Sequence, residues 1–442
     1  MDKHAFVIAA DKSNSGKTTI TIGIVYALKE MGYRVAPFKC GPDYIDTAHL
    51  SRVANYPAYN LDSLFLSKDE LKDTFLTQLT KNDIGVIEGV MGFFDGIDYK
   101  TFKASTYDIA SILNLPAFLV LDGSSSSFSL AATVKGINQL SKNVPIKGVI
   151  VNNIASYTHE NMVVNSIEYH TDTKILGVIY KDELIGLPSR HLGVYMSYET
   201  SNSTYEKAAK AVKQSIDIKE IVRQSPVYIQ NVSSIKSNAS SSKTAFVAYD
   251  EAFNFYYQNN LDILRSAGYD IQFFSPIKNE MVENADFVYL GGGYPELFAD
   301  KLSQSTDTIN SIQEHINANR PLLAECGGMI YLTKGIHKED GKFYKFCGVF
   351  DAECRMSKKR SALGYVYVEG LGRLKGINGI GHEFHYSYLT NVKEPYIFKI
   401  KKLTTNEERF DGFLKNSALA SYTHFCFSKK NEWILDFLGG AL

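Results

Sequence analysis

Cysteine is scarce and unpaired in this 442-residue sequence: Cys40, Cys326, Cys347, Cys354 and Cys426 are an odd number with no C-x-x-C pair among them. This argues against a disulfide framework and a zinc ribbon, and leaves single thiols free for chemistry. Long apolar runs are missing as well. Ala117 to Leu121 is typical of the longest, against the roughly 20 residues that span a bilayer. An excess of either charge is also missing: 47 Lys and Arg face 48 Asp and Glu, a formal net charge of −1. No bulk field therefore favours nucleic acid or an anionic membrane, and charge selectivity must be local. Met1 to Lys3 lead directly into a strand-like run, so the expectation is a cytoplasmic protein with no nucleic-acid and no membrane partner. With 45% hydrophobic and 21% charged residues the chain is globular, and disorder as its main state is excluded.

What is present is an α/β rhythm. Strand-like runs at Ala5 to Ala10, Arg34 to Lys39, Gly85 to Glu88, Ala117 to Asp122, Gly148 to Asn152 and Lys174 to Ile179 alternate with helical patterns, which predicts βαβ units and a parallel sheet. Thr18 to Met31 has helical spacing, with Gly32 where a C-terminal cap belongs. Periodicity dissolves over residues 224–243, which are Ser-rich and polar, the best candidate linker. A second α/β series follows, with runs at Thr244 to Ala248, Asp270 to Phe274, Phe287 to Leu290 and Pro321 to Ala324, then a β-like, glycine-punctuated region from Gly348 to Phe427. The expected organisation is one domain over 1–223, the linker over 224–243, and a second domain of unlike chemistry over 244–442.

Asp11 to Thr19 read D-K-S-N-S-G-K-T-T between the first strand and the first helix. There the backbone N–H groups of Ser13, Ser15, Gly16 and Thr19 and the helix N-terminus can cradle phosphates. Lys17 would reach the outer phosphates and the Thr18 hydroxyl would ligate Mg²⁺. The usual G-x-x-x-x-G-K-[ST] pattern is one residue short, because Asp11 stands at the first glycine. Carboxylates to hold the metal or orient substrate follow two predicted strands: Asp43 and Asp46, with Tyr44 between them, after the second, and Glu88 and Asp95 after the third. These are the strand ends where open α/β sheets place ligands. Taken singly, each is also a plain turn former.

In the second half, Arg320 to Tyr331 run from an apolar strand through a tight turn into a helix, with Cys326 at the turn. A nucleophile on such an elbow is exposed, and its thiolate is favoured by the helix N-terminus. His424, in a short β-like segment, is the candidate base. Gly292 and Gly293 after another strand, with Gly327, could supply oxyanion-hole N–H groups. The stretch from Gly381 to Ser387, G-H-E-F-H-Y-S, is one residue short of H-E-x-x-H and is not a zincin motif.

Together and in this order, the phosphate loop, the segments Phe38 to Asp46, Glu88 to Gly96, Leu187 to Gly193, Asp250 to Phe255, Ala324 to Met329 and Gly381 to Ser387 resemble the glutamine-dependent a,c-diamide synthases of tetrapyrrole biosynthesis. The resemblance covers essentially the whole chain. It implies an N-terminal P-loop NTPase-like (dethiobiotin-synthetase-like) parallel-sheet domain and a C-terminal class I glutaminase-like α/β domain. It further implies ATP and L-glutamine as cosubstrates, Mg²⁺, and a tetrapyrrole polycarboxylate as the small-molecule partner; a homodimer is left open. By the same resemblance Asn152 lies on the adenine side, and Arg190 and His191 form a substrate-binding element with Asp43, Tyr44, Asp46 and Asp95. Cys326 and His424 match the family's catalytic pair. Ordinary class I glutaminases carry a Glu two residues after the histidine; this sequence has Cys426 there, which leaves open what orients His424.

The implied reaction amidates the a and c acetates of cobyrinate through acyl phosphates, with ammonia released from glutamine. Lys39, Arg190, His191 and the run Lys358 to Arg360 are candidate cations for the substrate's carboxylates. The same reaction on Ni-sirohydrochlorin, and amidation of other side chains as in cobyric acid synthase, are rivals within this chemistry. A partitioning-type P-loop ATPase switch is a rival from another class, since Lys12 stands where those proteins carry a signature lysine.

Overall fold

Lys3–Ala10 forms the first strand (β1), and it is buried from Ala5 onward, the mark of a strand covered on both faces. It lies at the centre of the first of two compact units, residues 1–235 and 236–442, in a computed structural model that describes residues 3–181, 189–190, 193–228, 243–338 and 340–440. The first unit continues with α1 (Lys17–Glu30), β2 (Val35–Cys40), α2 (Ile45–Ala54), β3 (Tyr59–Leu61), α3 (Lys68–Lys81), β4 (Ile84–Glu88), α4 (Thr106–Leu113), β5 (Ala117–Asp122), α5 (Ser129–Leu140), β6 (Ile146–Ile154), α6 (Tyr157–His170) and β7 (Ile175–Tyr180). It ends with β8 (Ser189–Arg190), β9 (Gly193–Val194), α7 (Asn202–Ser215), α8 (Ile218–Arg223) and β10 (Pro226–Val227). The sheet order is β3-β2-β4-β1-β5-β6-β7, and every neighbouring pair on that path is parallel. All the carboxyl ends therefore face one edge, which sets the loops after β1, β2, β4, β5 and β6 side by side.

All six expected strands are present. The short edge strand β3 was not anticipated, because three residues give no alternation to read. Pro226 and Val227, which fall in the expected linker, pair antiparallel with His4 and Lys3, so the chain is still part of the first sheet there. Residues 229–242 of that linker lie outside the described residues.

In the second unit the elements are β11 (Lys243–Ala248), α9 (Gln258–Ser266), β12 (Tyr269–Phe274), β13 (Phe287–Leu290), α10 (Ala299–Gln304), α11 (Thr306–Asn317), β14 (Leu322–Glu325) and α12 (Gly327–Leu332). Then follow β15 (Gly335–His337), β16 (Phe343–Lys345), β17 (Glu353–Met356), β18 (Ala362–Gly370), β19 (Asn378–His385), β20 (Ser387–Thr390), β21 (Phe398–Lys402), β22 (Glu408–Asp411), β23 (Phe413–Lys415), β24 (Ala418–Ser421), β25 (His424–Phe425) and α13 (Trp433–Leu438). The central sheet runs β12-β11-β13-β14-β24-β23, parallel except for β23 against β24. Side chains alternate between its faces. Val288, Leu290, Leu322 and Ala324 enter one core with α12, while Phe287, Tyr289 and Leu323 enter another with Val366, Val368, Phe398 and Trp433. The glycine-punctuated region folds mainly as two further sheets, β22-β21-β18-β19-β25 and β16-β15-β17-β20. No helix among the described residues is long and apolar enough to cross a membrane.

Gly177 in β7 shows how tightly the first unit closes. A Cβ there would lie 2.1 Å from the Ser215 carbonyl oxygen and 2.9 Å from Ile216 Cα, backbone atoms that cannot swing away. Gly177→Ala is expected to lower stability by about 1–3 kcal/mol, read as a lower urea midpoint with an unchanged denaturant slope; an unchanged midpoint would mean that α7 is not seated on β7 this way.

Candidate active sites of the two units

The turn after β1 has positive φ at Asn14 (65°) and Gly16 (88°), which lets the chain curl back and start α1 at Lys17. Asp11 is absent from that left-handed set, so no glycine is required there, and its carboxylate accepts the Ser15 hydroxyl at 2.7 Å. The departure from the usual pattern thus closes the loop by a side-chain bond. Gly16 is held by more than its backbone angle. Asn152 at the end of β6 donates to the Ser15 carbonyl at 3.0 Å, and a Cβ on Gly16 would lie 2.2 Å from Asn152 Nδ2. Ser13 is exposed and Thr19 half-buried. Lys12 forms an ion pair with Asp122 at 3.1 Å.

Behind the loop lies a buried ionic cluster. Thr18 Oγ1 donates to Glu88 Oε1 at 2.5 Å and stands 3.5 Å from Asp46 Oδ2. Lys39 donates to Asp46 at 2.6 Å, Glu88 at 2.8 Å and the Gly89 carbonyl at 3.1 Å, which uses all three of its N–H bonds. Burial alone would depress the Lys39 ammonium, but Asp46, Glu88 and Asp43 outweigh it and hold its pKa above the usual lysine value. Burial opposes ionisation of Asp46 too, yet Lys39 keeps it below the ordinary carboxylate range. Burial, with repulsion from Asp46, pushes Glu88 up and Asp43 up to about 7. Lys17, which donates to the Met91 carbonyl at 3.3 Å, is depressed by burial and by Lys39.

Asp43 Oδ1 accepts the Asp46 N–H at 2.7 Å, capping α2 beside Tyr44, and Asp95 accepts the Gly92 N–H at 2.9 Å, bracing its own loop. Lys39 was expected to hold a substrate carboxylate. The structure corrects this, since the ammonium is buried and saturated within the cluster. Arg190 pairs through its backbone with Gly193; its side chain, together with His191, lies outside the described residues.

The cluster fits a Mg²⁺ ion. Its donors are oxygens only, and Glu88 Oε2 is buried without a hydrogen-bond partner. Among the described residues no group of three or more His, Cys, Asp or Glu forms a metal cage by itself. Mg²⁺ ordinarily takes one or two carboxylates and completes its shell with phosphates and water.

In the second unit Cys326 has φ 48° and ψ −101° between β14 and α12, a strained, non-helical position for a residue with a side chain. Its N–H donates to the Ser421 carbonyl at 2.7 Å, tying the elbow to β24. Close backbone approach explains the glycines around it: a Cβ on Gly328 would lie 2.2 Å from the Leu290 carbonyl oxygen, and one on Gly327 would lie 3.1 Å from Gly293 N. Gly292 is equally constrained, because a Cβ there would lie 2.4 Å from His424 Cε1. Gly292, Gly293, Gly327, Cys326 and His424 therefore meet in one place, at the carboxyl ends of β13 and β14. Burial, then the charge of Glu296, raises the Cys326 thiol above its ordinary pKa. A resident thiolate is thus not favoured, and attack requires a base to take the proton.

His382 pairs with His424 across β19 and β25; burial and then the charge of His424 bring its pKa down to about 3, so it stays neutral. His385 stacks on Tyr422 with ring centroids 3.9 Å apart. Sequence reasoning missed Glu325 and the clustering of Lys39 with the acids. The first directly precedes the nucleophile but reads as the last residue of an apolar strand, and the second is visible only once β2 and β4 are neighbours.

Comparison with known proteins matches both units. Residues 6–194 match the family model of the CobQ/CobB/MinD/ParA nucleotide binding domain, and residues 244–432 that of the CobB/CobQ-like glutamine amidotransferase domain. The chain is 38% identical to a cobyrinate a,c-diamide synthase of Priestia megaterium, over 98% of this chain and 96% of that one. Proteins of the same name from Caldanaerobacter subterraneus (37%, covering 98% and 97%) and Methanobrevibacter smithii (38%, covering 95% and 94%) align as completely. Identity at this level across both units, and nearly end to end, exceeds what a shared fold requires: the chain belongs to the cobyrinate a,c-diamide synthase family.

Proposed function

We propose that the chain is a ligase that uses ATP and glutamine to amidate the a and c acetate side chains of cobyrinate, with Cys326 and His424 as the glutaminase pair and the cluster around Lys17, Thr18 and Glu88 as the phosphoryl-transfer site. The observation that carries this is the coexistence, in one chain, of a phosphate loop backed by buried acids and a strained cysteine elbow beside a histidine. A carboxylate resists nucleophiles because of its charge, and oxide is a poor leaving group, so amide formation needs activation. An acetate oxygen of the substrate attacks the γ-phosphorus of ATP, ADP leaves, and an acyl phosphate forms. Ammonia then adds to the acyl carbon and inorganic phosphate departs. Ser13, Ser15, Gly16 and Thr19 offer backbone N–H groups to the phosphates, Lys17 neutralises their outer charge, and Asn152 holds the loop in shape. Thr18, Asp46 and Glu88, with Asp43 beside them, would hold Mg²⁺, which when bound neutralises charge on the transferred phosphoryl group. Tyr44, Asp95, Arg190 and His191 are assigned to substrate.

In the second unit Cys326 Sγ attacks the side-chain amide of glutamine while His424 takes the thiol proton and passes it to the departing ammonia. Gly293 and Gly327 N–H groups, beside Gly292, face the developing oxyanion. Water hydrolyses the thioester to glutamate. The Lys12–Asp122 ion pair keeps the candidate switch lysine engaged inside its own chain, and a switch leaves the cysteine elbow without a purpose.

Two substitutions divide the reaction. Cys326→Ala should abolish glutamine-driven amidation and glutamate release, with amidation restored by ammonium salts. Glutamate release that persists would remove Cys326 as the nucleophile. Glu88→Gln should instead lower both glutamine-driven and ammonia-driven amidation, by about a hundredfold. Full ammonia-driven activity in that variant would exclude the cluster from phosphoryl transfer. Mass spectrometry of the products from cobyrinate and from Ni-sirohydrochlorin identifies which acceptor gains amides.

A further inference from the structure

The usual third acid of class I glutaminases is missing two residues after His424, where Cys426 stands. The structure places a different carboxylate against the same imidazole. Glu325, only 1% exposed, directs Oε2 to within 3.8 Å of His424 Nδ1. Its other oxygen accepts the N–H of Phe425, the next residue along, at 2.9 Å. One carboxylate thus faces the ring and fixes the peptide that follows it. From this we infer that Glu325, the residue directly before the nucleophile, is the positioning acid of the Cys326–His424 pair. The inference rests on the assignment of that pair above.

Fixed hydrogen bonds build this arrangement. Tyr289 donates its hydroxyl to Glu325 Oε2 at 2.8 Å, and Asn260 donates to the same hydroxyl oxygen at 3.2 Å. Asn260 also donates to the Phe425 carbonyl at 2.8 Å and accepts the Phe427 N–H at 2.8 Å. The strand carrying His424 is therefore gripped on the N–H of Phe425 by Glu325 and on its carbonyl by Asn260. Burial, and then the charge of Glu325, raises the Tyr289 hydroxyl well above its usual pKa, so it remains a donor. The register of the chain explains why a residue next to the nucleophile can do this. Glu325 ends β14 in the extended conformation, Cys326 turns sharply, and successive side chains leave the strand on opposite sides.

Other titratable groups face this site without replacing Glu325. His382, across the strand pair, is neutral in the working range. Asp411 grips the preceding residues, accepting the N–H groups of Tyr422 and Thr423 at 3.0 and 3.1 Å. Glu296 acts on Cys326, and Tyr256 lies close enough to Glu325 to be raised by its charge, after burial. Glu325 is the carboxylate that pairs with the ring of His424 at ion-pair distance, Oε2 to Nδ1.

A carboxylate facing Nδ1 stabilises the imidazolium that forms when His424 takes the thiol proton. The acid limb of the glutaminase pH profile reads the protonation of the base that takes that proton. Glu325→Gln keeps an acceptor for Phe425 and a polar partner for Tyr289 but removes the charge. It should lower glutaminase kcat at least about tenfold and shift the acid limb to lower pH. Tyr289→Phe removes a donor from Oε2, leaves the carboxylate less neutralised, and should shift the limb the other way. Rates would be normalised to ammonia-driven amidation by the same preparation. A rate and limb unchanged in Glu325→Gln overturn the inference. Should that variant fail to fold, an unmoved limb in Tyr289→Phe overturns it equally. Cys326→Ala run alongside separates the two readings: glutamate release that survives in it dismisses the catalytic pair, whereas its loss together with a normal Glu325→Gln dismisses only the role of Glu325.

Discussion

Both units depend on one constraint: a parallel strand that ends at a helix N-terminus must reverse direction within a few residues. The turn forces unusual backbone angles, Gly16 at φ 88° in the first unit and Cys326 at φ 48° in the second. It also sets reactive groups where N–H donors of the following helix are unsatisfied. In the first unit those donors surround a phosphate-sized turn. In the second the helix start stands beside a thiol, and the close approach of the glycines after β13 leaves no room for side chains. The same geometrical device therefore recurs in the two units, with the difference carried by which residue occupies the turn.

Charge burial is the second constraint. Carboxylates at strand ends are costly to desolvate unless paired. Lys39 resolves this in the first unit by placing one ammonium against Asp46 and Glu88, which leaves Glu88 with an oxygen facing inward and no protein partner. In the second unit Glu325 is held by hydrogen bonds instead, from Tyr289 and the Phe425 backbone, and faces His424. The two buried acids are thus held by different means: an ammonium against Glu88, and neutral hydrogen-bond donors against Glu325.

Much of this was readable in the sequence. The parallel strands of the first unit announced themselves by short β-rich runs alternating with helical patterns, and the phosphate loop by position as well as by pattern, so that Asp11 at the first glycine did not mislead. The elbow at Cys326 was legible because an apolar strand runs into a cysteine and two glycines ahead of a helical segment. Lys39 was misread as a substrate contact, since nothing in its neighbours along the chain shows that β4 lies beside β2 and brings Glu88 to it. Glu325 escaped notice for a related reason. Its partner His424 is remote in sequence, and the sequence template looks for the third acid after the histidine, not before the cysteine. Interactions within one strand-turn-helix segment are local and leave a pattern; those between strands depend on sheet order, which the pattern does not encode.

The central claim is that a single chain couples phosphoryl activation of a carboxylate to ammonia drawn from glutamine. The most direct measurement is the stoichiometry of ADP, glutamate and new amide in one reaction containing cobyrinate, ATP, Mg²⁺ and glutamine. The account predicts that the three appear in equal amounts and that ADP formation depends on the acceptor. ATP turnover that is indifferent to cobyrinate and leaves its mass unchanged would contradict it.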